Sequence, residues 1–289
     1  MAQMTQDQEQ ARQGRIFAVF GPRGGVGCTT IATNLALALR ERRRTNARVA
    51  LVDANLMFGD LALVLNTPQL RTIVDLVVEL DQASSADVEL VQAALVRHER
   101  TGLAVLLAPP HPAQAELVTP EALQVILRLL QAAFDYVVVD TAPSFHEQML
   151  RVLDLAERIV LVGTPELPVI HHLRMVLHVA AQLQYPPEKL LLVLNRAAAD
   201  PRLGMDVVEA ERIIGRRFAA TLANDWLLAR RAIDTATPLL LTHPDSQLGQ
   251  DIFALAECLV QSTGSVEIVP AEPRKRQTPS WLTRVWSFA

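Results

Sequence analysis

Arg15-Ile-Phe-Ala-Val-Phe-Gly-Pro-Arg-Gly-Gly-Val-Gly-Cys-Thr-Thr30, running on into Ile-Ala-Thr-Asn-Leu-Ala-Leu-Ala-Leu39, decides how this chain folds. An apolar run of strand length stops at a glycine-rich turn, and the turn opens straight onto a helix rich in Ala and Leu. Such a strand, loop and helix N-terminus make a phosphate cradle, because backbone N–H groups and the helix dipole both point at the anion. Thr29 and Thr30 stand where a hydroxyl can ligate a Mg²⁺ that bridges phosphates. The general pattern for such loops is G-x-x-x-x-G-K-[ST]. Here Pro22 takes the place of its first Gly and Cys28 the place of its Lys.

Working outward, 289 residues with 50% hydrophobic and 20% charged side chains suffice for one large α/β domain or two small ones. The net charge is −4 and the basic residues are nearly all Arg, which argues against a general nucleic-acid coat. The only lysines are Lys189 and Lys275, so none in the N-terminal half can stand in at the loop. Cys28 and Cys258 give neither a disulfide framework nor a zinc pattern, which fits a reducing cytoplasm. The polar start Met1–Gln10 has no signal-peptide core, and no apolar run reaches transmembrane length. The expectation is a soluble cytoplasmic protein, at most peripheral at a membrane.

Residues 1–14 read as a disordered lead-in and 15–263 as one domain. Strands are expected at 15–20, 48–53, 103–108, 136–140, 158–163, 189–195 and 218–222, with helices at 28–43, 168–183 and 246–263. Arg42-Arg-Arg44 would close the first helix with positive charge at its negative end. Residues 69–100 read as two helices joined at Ser84-Ser85, and a further helix is capped at Thr119 with Pro120 in its first turn. Apolar strands alternating with helices imply a mostly parallel sheet covered on both faces. In such sheets the ligand lies at the carboxyl ends of the strands. Four strands here end in polar residues: Gly21 with Arg23, Asp53 with Asn55, Asp140 with Thr141, and Asn195 with Arg196. Asp140 ends an apolar strand and, with Thr29, is a natural oxygen ligand for Mg²⁺.

The loop resembles the deviant P-loop of the MinD/ParA family, K-G-G-x-G-K-[ST]-[ST]. On this chain the family's signature lysine falls on Arg23 and its P-loop lysine on Cys28, while Gly24, Gly25, Gly27, Thr29 and Thr30 match. The resemblance implies the three-layer P-loop NTPase fold, a twisted sheet between helices, and nucleotide contacts along Arg23, Gly24, Gly25, Val26, Gly27, Cys28, Thr29 and Thr30. It implies ATP and Mg²⁺ as cofactors, with Thr29, Asp53 and Asp140 around the metal. Asp140–Ser144 is similar to the family's D-x-P-x-G, with Ser144 in place of Gly and the Pro one position later, at Pro143, and 53–60 to its D-x-D stretch, with Asn55 in place of the second Asp. The family uses that second carboxylate to position the attacking water; an amide can orient water but cannot take its proton. Arg23 and Asn55 are thus the residues nearest to a catalytic role, and at most a weak ATPase is expected. Asn195, followed by Arg196, falls where the family reads adenine.

Five stretches, 53–60, 108–120, 134–144, 164–168 and 224–234, look like the CpaE/TadZ branch, the pilus-assembly ATPases of Tad and type IV secretion-like systems. That resemblance covers residues 15–262 and implies a homodimer working with pilus or secretion proteins. Beyond it, 264–289 reads as a Pro-rich linker and a tail in which Arg274-Lys-Arg276 precede Trp281, Leu282, Val285 and Trp286 on one helical face. Basic charge with tryptophan suits an anionic membrane surface, and an apolar face also suits a partner protein.

Three readings result. The first is an ATP-dependent dimeric switch that positions a pilus or secretion machine. The second is a scaffold that kept the fold and lost the chemistry. The third is a ParA-type DNA-partition ATPase, which the net charge argues against, so nucleic acid is not an expected partner. His171, His172 and His178 lack a carboxylate or Cys at ligand spacing and read as surface. Trp226 is expected to anchor a loop over the base, with Arg230 and Arg231 solvated.

Overall fold

A computed structural model describes residues 13–41, 47–83, 86–197 and 205–261. The alternation of apolar runs and helical stretches builds an eight-stranded sheet in the order β3-β4-β2-β5-β1-β6-β7-β8. Its strands are β1 (Arg15–Phe20), β2 (Val49–Ala54), β3 (Val96–Arg97), β4 (Ala104–Leu106), β5 (Tyr136–Thr141), β6 (Arg158–Gly163), β7 (Leu190–Ala197) and β8 (Ala220–Ala223). Every pairing is parallel except β3 with β4. The central strands read as unbroken apolar runs because helices bury both faces.

The helices are α1 (Cys28–Glu41), α2 (Leu61–Val64), α3 (Ile73–Gln82), α4 (Val88–Ala94), α5 (Pro120–Ala133), α6 (Glu147–Leu155), α7 (Leu167–Gln182), α8 (Val207–Ile214), α9 (Trp226–Asp234), α10 (Leu239–Thr242) and α11 (Gln247–Gln261). One core lies between the sheet and α3 to α8, through residues such as Leu76, Leu127, Val152 and Leu173. The other lies under α1, α10 and α11, through Ile31, Leu35, Leu239 and Leu255. Each such side chain, fully buried, contributes about 1.5–3 kcal/mol. α5 starts as its sequence says it should: Thr119 Oγ1 accepts the Ala122 N–H at 3.1 Å.

Several expectations change. Residues 95–100 are not helical; they turn back through β3, whose short antiparallel pairing with β4 closes that edge of the sheet. Helices α6, α8 and α9 have no counterpart among the sequence expectations, and each is only eight or nine residues long. The packed domain already includes Gly14, whose N–H donates to Gln131 O at 2.9 Å. The expectations for 1–12, Arg42-Arg-Arg44, Ser84-Ser85 and the tail with Trp281, Leu282, Val285 and Trp286 fall outside the described residues. Among the described residues no helix is long and apolar enough to cross a membrane.

Candidate nucleotide site

The glycine loop joins the C-terminal end of β1 to α1, so Gly24 to Thr30 lie at the carboxyl end of the sheet, with Arg23 exposed at the rim. The loop is fastened from β7, two strands away. Asn195 Nδ2 donates to Val26 O at 2.8 Å, and Arg196 Nη2 donates to Gly25 O at 2.7 Å. Asn195 Oδ1 in turn accepts the Arg196 N–H at 2.9 Å. To make these bonds Arg196 adopts φ +58, a left-handed conformation that costs a non-glycine residue energy and marks a constrained position. Gly27 has φ +101, and a Cβ there would meet Asn195 Nδ2 at 2.4 Å. The amide therefore seats directly on the loop and leaves one N–H free for a ligand beside it.

Cys28 begins α1. Burial first, and then the charge of Asp140, push its thiol well above its ordinary range, so it is a neutral thiol. It supplies no cation at the place where loops of this kind carry one, and no nucleophile.

Asp53 and Asp140 stand side by side, paired in register across β2 and β5. Both carboxyls are pushed up, burial being the largest cause for each. For Asp53 the Asp140 charge is the second cause. For Asp140, raised to about 7, a hydrogen bond from the Thr29 hydroxyl pulls down and the Asp60 charge pushes up. Two buried carboxyls this close cannot both ionise without a counter-charge. Their hydrogen bonds separate them. Asp53 accepts the Asn55 N–H at 3.2 Å on one oxygen and the Leu61 N–H at 3.1 Å on the other. Asp140 Oδ1 is buried and has no hydrogen-bond partner among the described residues.

That orphaned oxygen beside the Thr29 hydroxyl fits a hard cation such as Mg²⁺, which takes carboxylate, hydroxyl and water oxygens. Of the three expected metal residues, the site brings Thr29 and Asp140 together. Asp53 adjoins them with both oxygens committed to backbone. No cluster of three or more His, Cys, Asp and Glu side chains suited to a metal occurs among the described residues, the His171, His172 and His178 group included.

Asn55 Nδ2 donates to Phe58 O at 2.8 Å, closing its own loop. Trp226, at the start of α9, is 64% exposed. Two contributors have no sequence signal. Gly59 permits the 55–61 loop to lie on Asp53, since a Cβ there would come 2.4 Å from Asp53 Oδ2. Asn34, inside α1, donates to Thr30 O at 2.8 Å and accepts the Leu240 N–H at 3.0 Å, tying the loop's helix to α10.

Residues 14–190 match the family model of an AAA domain. The septum site-determining protein MinD of Thermotoga maritima is 30% identical over 183 residues, covering 63% of this chain and 64% of that protein. Across the curated relatives it matches first, the chain spans 54–64% of their length. The crystal structure of a ParA family ATPase from Chlorobium tepidum superposes with a TM-score of 0.75 at 24% identity, covering 84% of this chain and 98% of that one. The MinD of Pyrococcus horikoshii, determined with Mg-ADP, gives 0.72 at 22% identity over 87% and 98% of the two chains. At these identities the likeness establishes the fold, that of the P-loop NTPases.

Proposed function

The chain belongs to the MinD/ParA family of P-loop ATPases, and from that premise we propose that it is an ATP-binding, dimer-forming positioning protein of a Tad/type IV pilus or secretion-like system. Nucleotide-dependent switching is its work; hydrolysis is slow or absent. The observation that carries the reading is the unpartnered Asp140 Oδ1 beside the Thr29 hydroxyl, at the foot of the glycine loop. Buried polar atoms without partners are rare, and one at a strand end calls for a ligand.

In this reading Gly24 to Thr30 hold the phosphates through backbone N–H groups, and Thr29 and Asp140 hold Mg²⁺, which neutralises phosphate charge when bound. Asp53 holds the 55–61 loop beside them. Asn195 presents its free N–H to the base while Arg196 braces the loop. Arg23, exposed at the rim, reaches phosphates of a second copy, where a guanidinium can grip two oxygens at once. The loss of the loop lysine falls on turnover more than on binding, since a missing charge stabiliser typically costs about 10²–10³ in rate. The pilus assignment rests on the five stretches that look like the CpaE/TadZ branch. The tail, Trp281, Leu282, Val285 and Trp286, is assigned to a membrane surface or a partner protein.

Calorimetry of ATP with Mg²⁺ on the full chain, beside Arg23→Ala and a mass measurement of the oligomer, tests this. ATP binding that drives dimer formation and weakens in the variant supports the switch. A dimer that forms without nucleotide, in a chain that ignores millimolar ATP, overturns it. A specific observation favours that second outcome: Asn55 and Asp53 are both spent on closing their own loop. The protein would then be a nucleotide-independent scaffold. A DNA-partition role would show as a salt-dependent DNA shift.

A further inference from the structure

A groove of about 670 Å³ opens beside the nucleotide site, between residues 54–58 after β2, the turn at 115–120, and 142–149 leading into α6. Its walls are apolar: Leu56, Met57, Phe58, Ala115, Pro143 and Met149 among them. Phe58 is 69% exposed and Met57 55%, a cost in water that a covering group would remove. Among the described residues the charged side chains on its lining are Glu116 and Glu147, both exposed, with no Arg or Lys.

The chain carries a segment complementary to this groove. From Arg274 to Ala289 there are four basic residues, Arg274, Lys275, Arg276 and Arg284, and no acidic one. The same stretch holds Trp281, Leu282, Val285, Trp286 and Phe288. Length permits the contact. The described chain ends at Gln261, next to Arg15 at the opposite end of the sheet, where Arg15 Nη1 and Nη2 donate to Val260 O and Leu259 O. The 20 residues from Ser262 to Trp281 span about 65 Å when extended, against a domain roughly 40–45 Å across.

We infer that the tail residues 274–289 seat in this groove of their own chain, tryptophans against Met57, Phe58 and Met149, basic residues against Glu116 and Glu147. The seat lies on the two loops that come after Asp53 and Asp140, so a tail in place covers those loops and is withheld from any other surface. This goes beyond the proposed switch and holds whether or not the chain binds ATP.

The test uses the full chain with photoreactive benzoylphenylalanine in place of Phe58, irradiated without nucleotide and mapped by mass spectrometry after trypsin. The expected result is a cross-link at monomer mass to peptide 277–284 or 285–289. Charge reversal at the exposed rim, Glu116→Lys with Glu147→Lys, should abolish that link while circular dichroism stays unchanged. Trp281→Ser with Trp286→Ser should abolish it too. A link found only at dimer mass, to residues outside the tail, would identify a second copy as the occupant and overturn the inference. So would the absence of any tail peptide, or a tail link that survives the charge reversal. ATP binding by the same preparations is read separately, so failure of the switch and failure of the tail seat cannot be confused.

Discussion

Asp53 and Asp140 end neighbouring parallel strands at the same register, both buried, both with carboxyls pushed up. The chain takes a different path beyond each of them. After Asp53 it folds back over 55–61 and gives both carboxyl oxygens a backbone N–H. After Asp140 it leaves toward α6, and one oxygen is left without a partner. The first is a fastener for a loop and the second a ligand in waiting. A carboxylate at a strand end is thus given its work by the path of the next few residues rather than by its own position.

The largest test of the ligand side is Cys28→Lys. A lysine there should raise ATP turnover by roughly 10²–10³-fold, read as phosphate release, and pull the Asp140 carboxyl back down by its charge. An unchanged rate would break the assignment of that end to phosphate chemistry.

Next in size is the contrast between two substitutions under urea unfolding. Asp53→Ala removes two buried acceptors and leaves the Asn55 and Leu61 N–H groups unpaired, an expected loss of about 2–4 kcal/mol. Asp140→Asn keeps the shape, relieves a buried acid, and should cost less than about 1 kcal/mol, while abolishing the Mg²⁺ dependence of nucleotide binding. Equal losses of stability would erase the difference between the two carboxyls.

The pH dependence sharpens it further. Asp140 titrates near 7 in the fold, against an ordinary 3.8. The folded state therefore holds a proton that the unfolded chain has released, and stability without metal should fall as pH rises from about 4 through 7. The slope is at most about 1.4 kcal/mol per pH unit for one proton. Mg²⁺ needs the ionised carboxyl, so its apparent affinity should rise up to about tenfold per pH unit below 7 and then level off. Asp140→Asn should flatten the Mg²⁺ curve and reduce the stability slope, leaving the part that the buried Asp53 contributes. The smallest effect expected is that of Asn55→Ala, which loses the bond to Phe58 O and about 1 kcal/mol.

Much of this architecture is legible in the sequence for a physical reason: it depends on short-range pattern. The apolar runs at 15–20, 136–140 and 158–163 reappear as β1, β5 and β6, because a strand buried on both faces has no polar position to spare. The loop at 21–30 is readable because its glycines and hydroxyls are adjacent in the chain. Helices of eight or nine residues, α6, α8 and α9, have too few turns for their periodicity to stand out. Residues 95–100 pass for the end of a helix because the β3 pairing is a two-residue contact that sequence pattern does not register.

The sequence by itself determined which chemistry is present: a lysine-free glycine loop, hydroxyls at Thr29 and Thr30, carboxylates and an Asn-Arg pair at strand ends, and a basic tryptophan tail. Only the tertiary structure decided what those groups do. Asn195 reaches the loop across 169 residues of chain, Asp53 is claimed by Leu61 and Asp140 is not, and Cys28 is held neutral by burial and a neighbouring carboxyl. Hydrogen-bond competition and desolvation act over a few ångströms in space, and sequence distance carries no information about either.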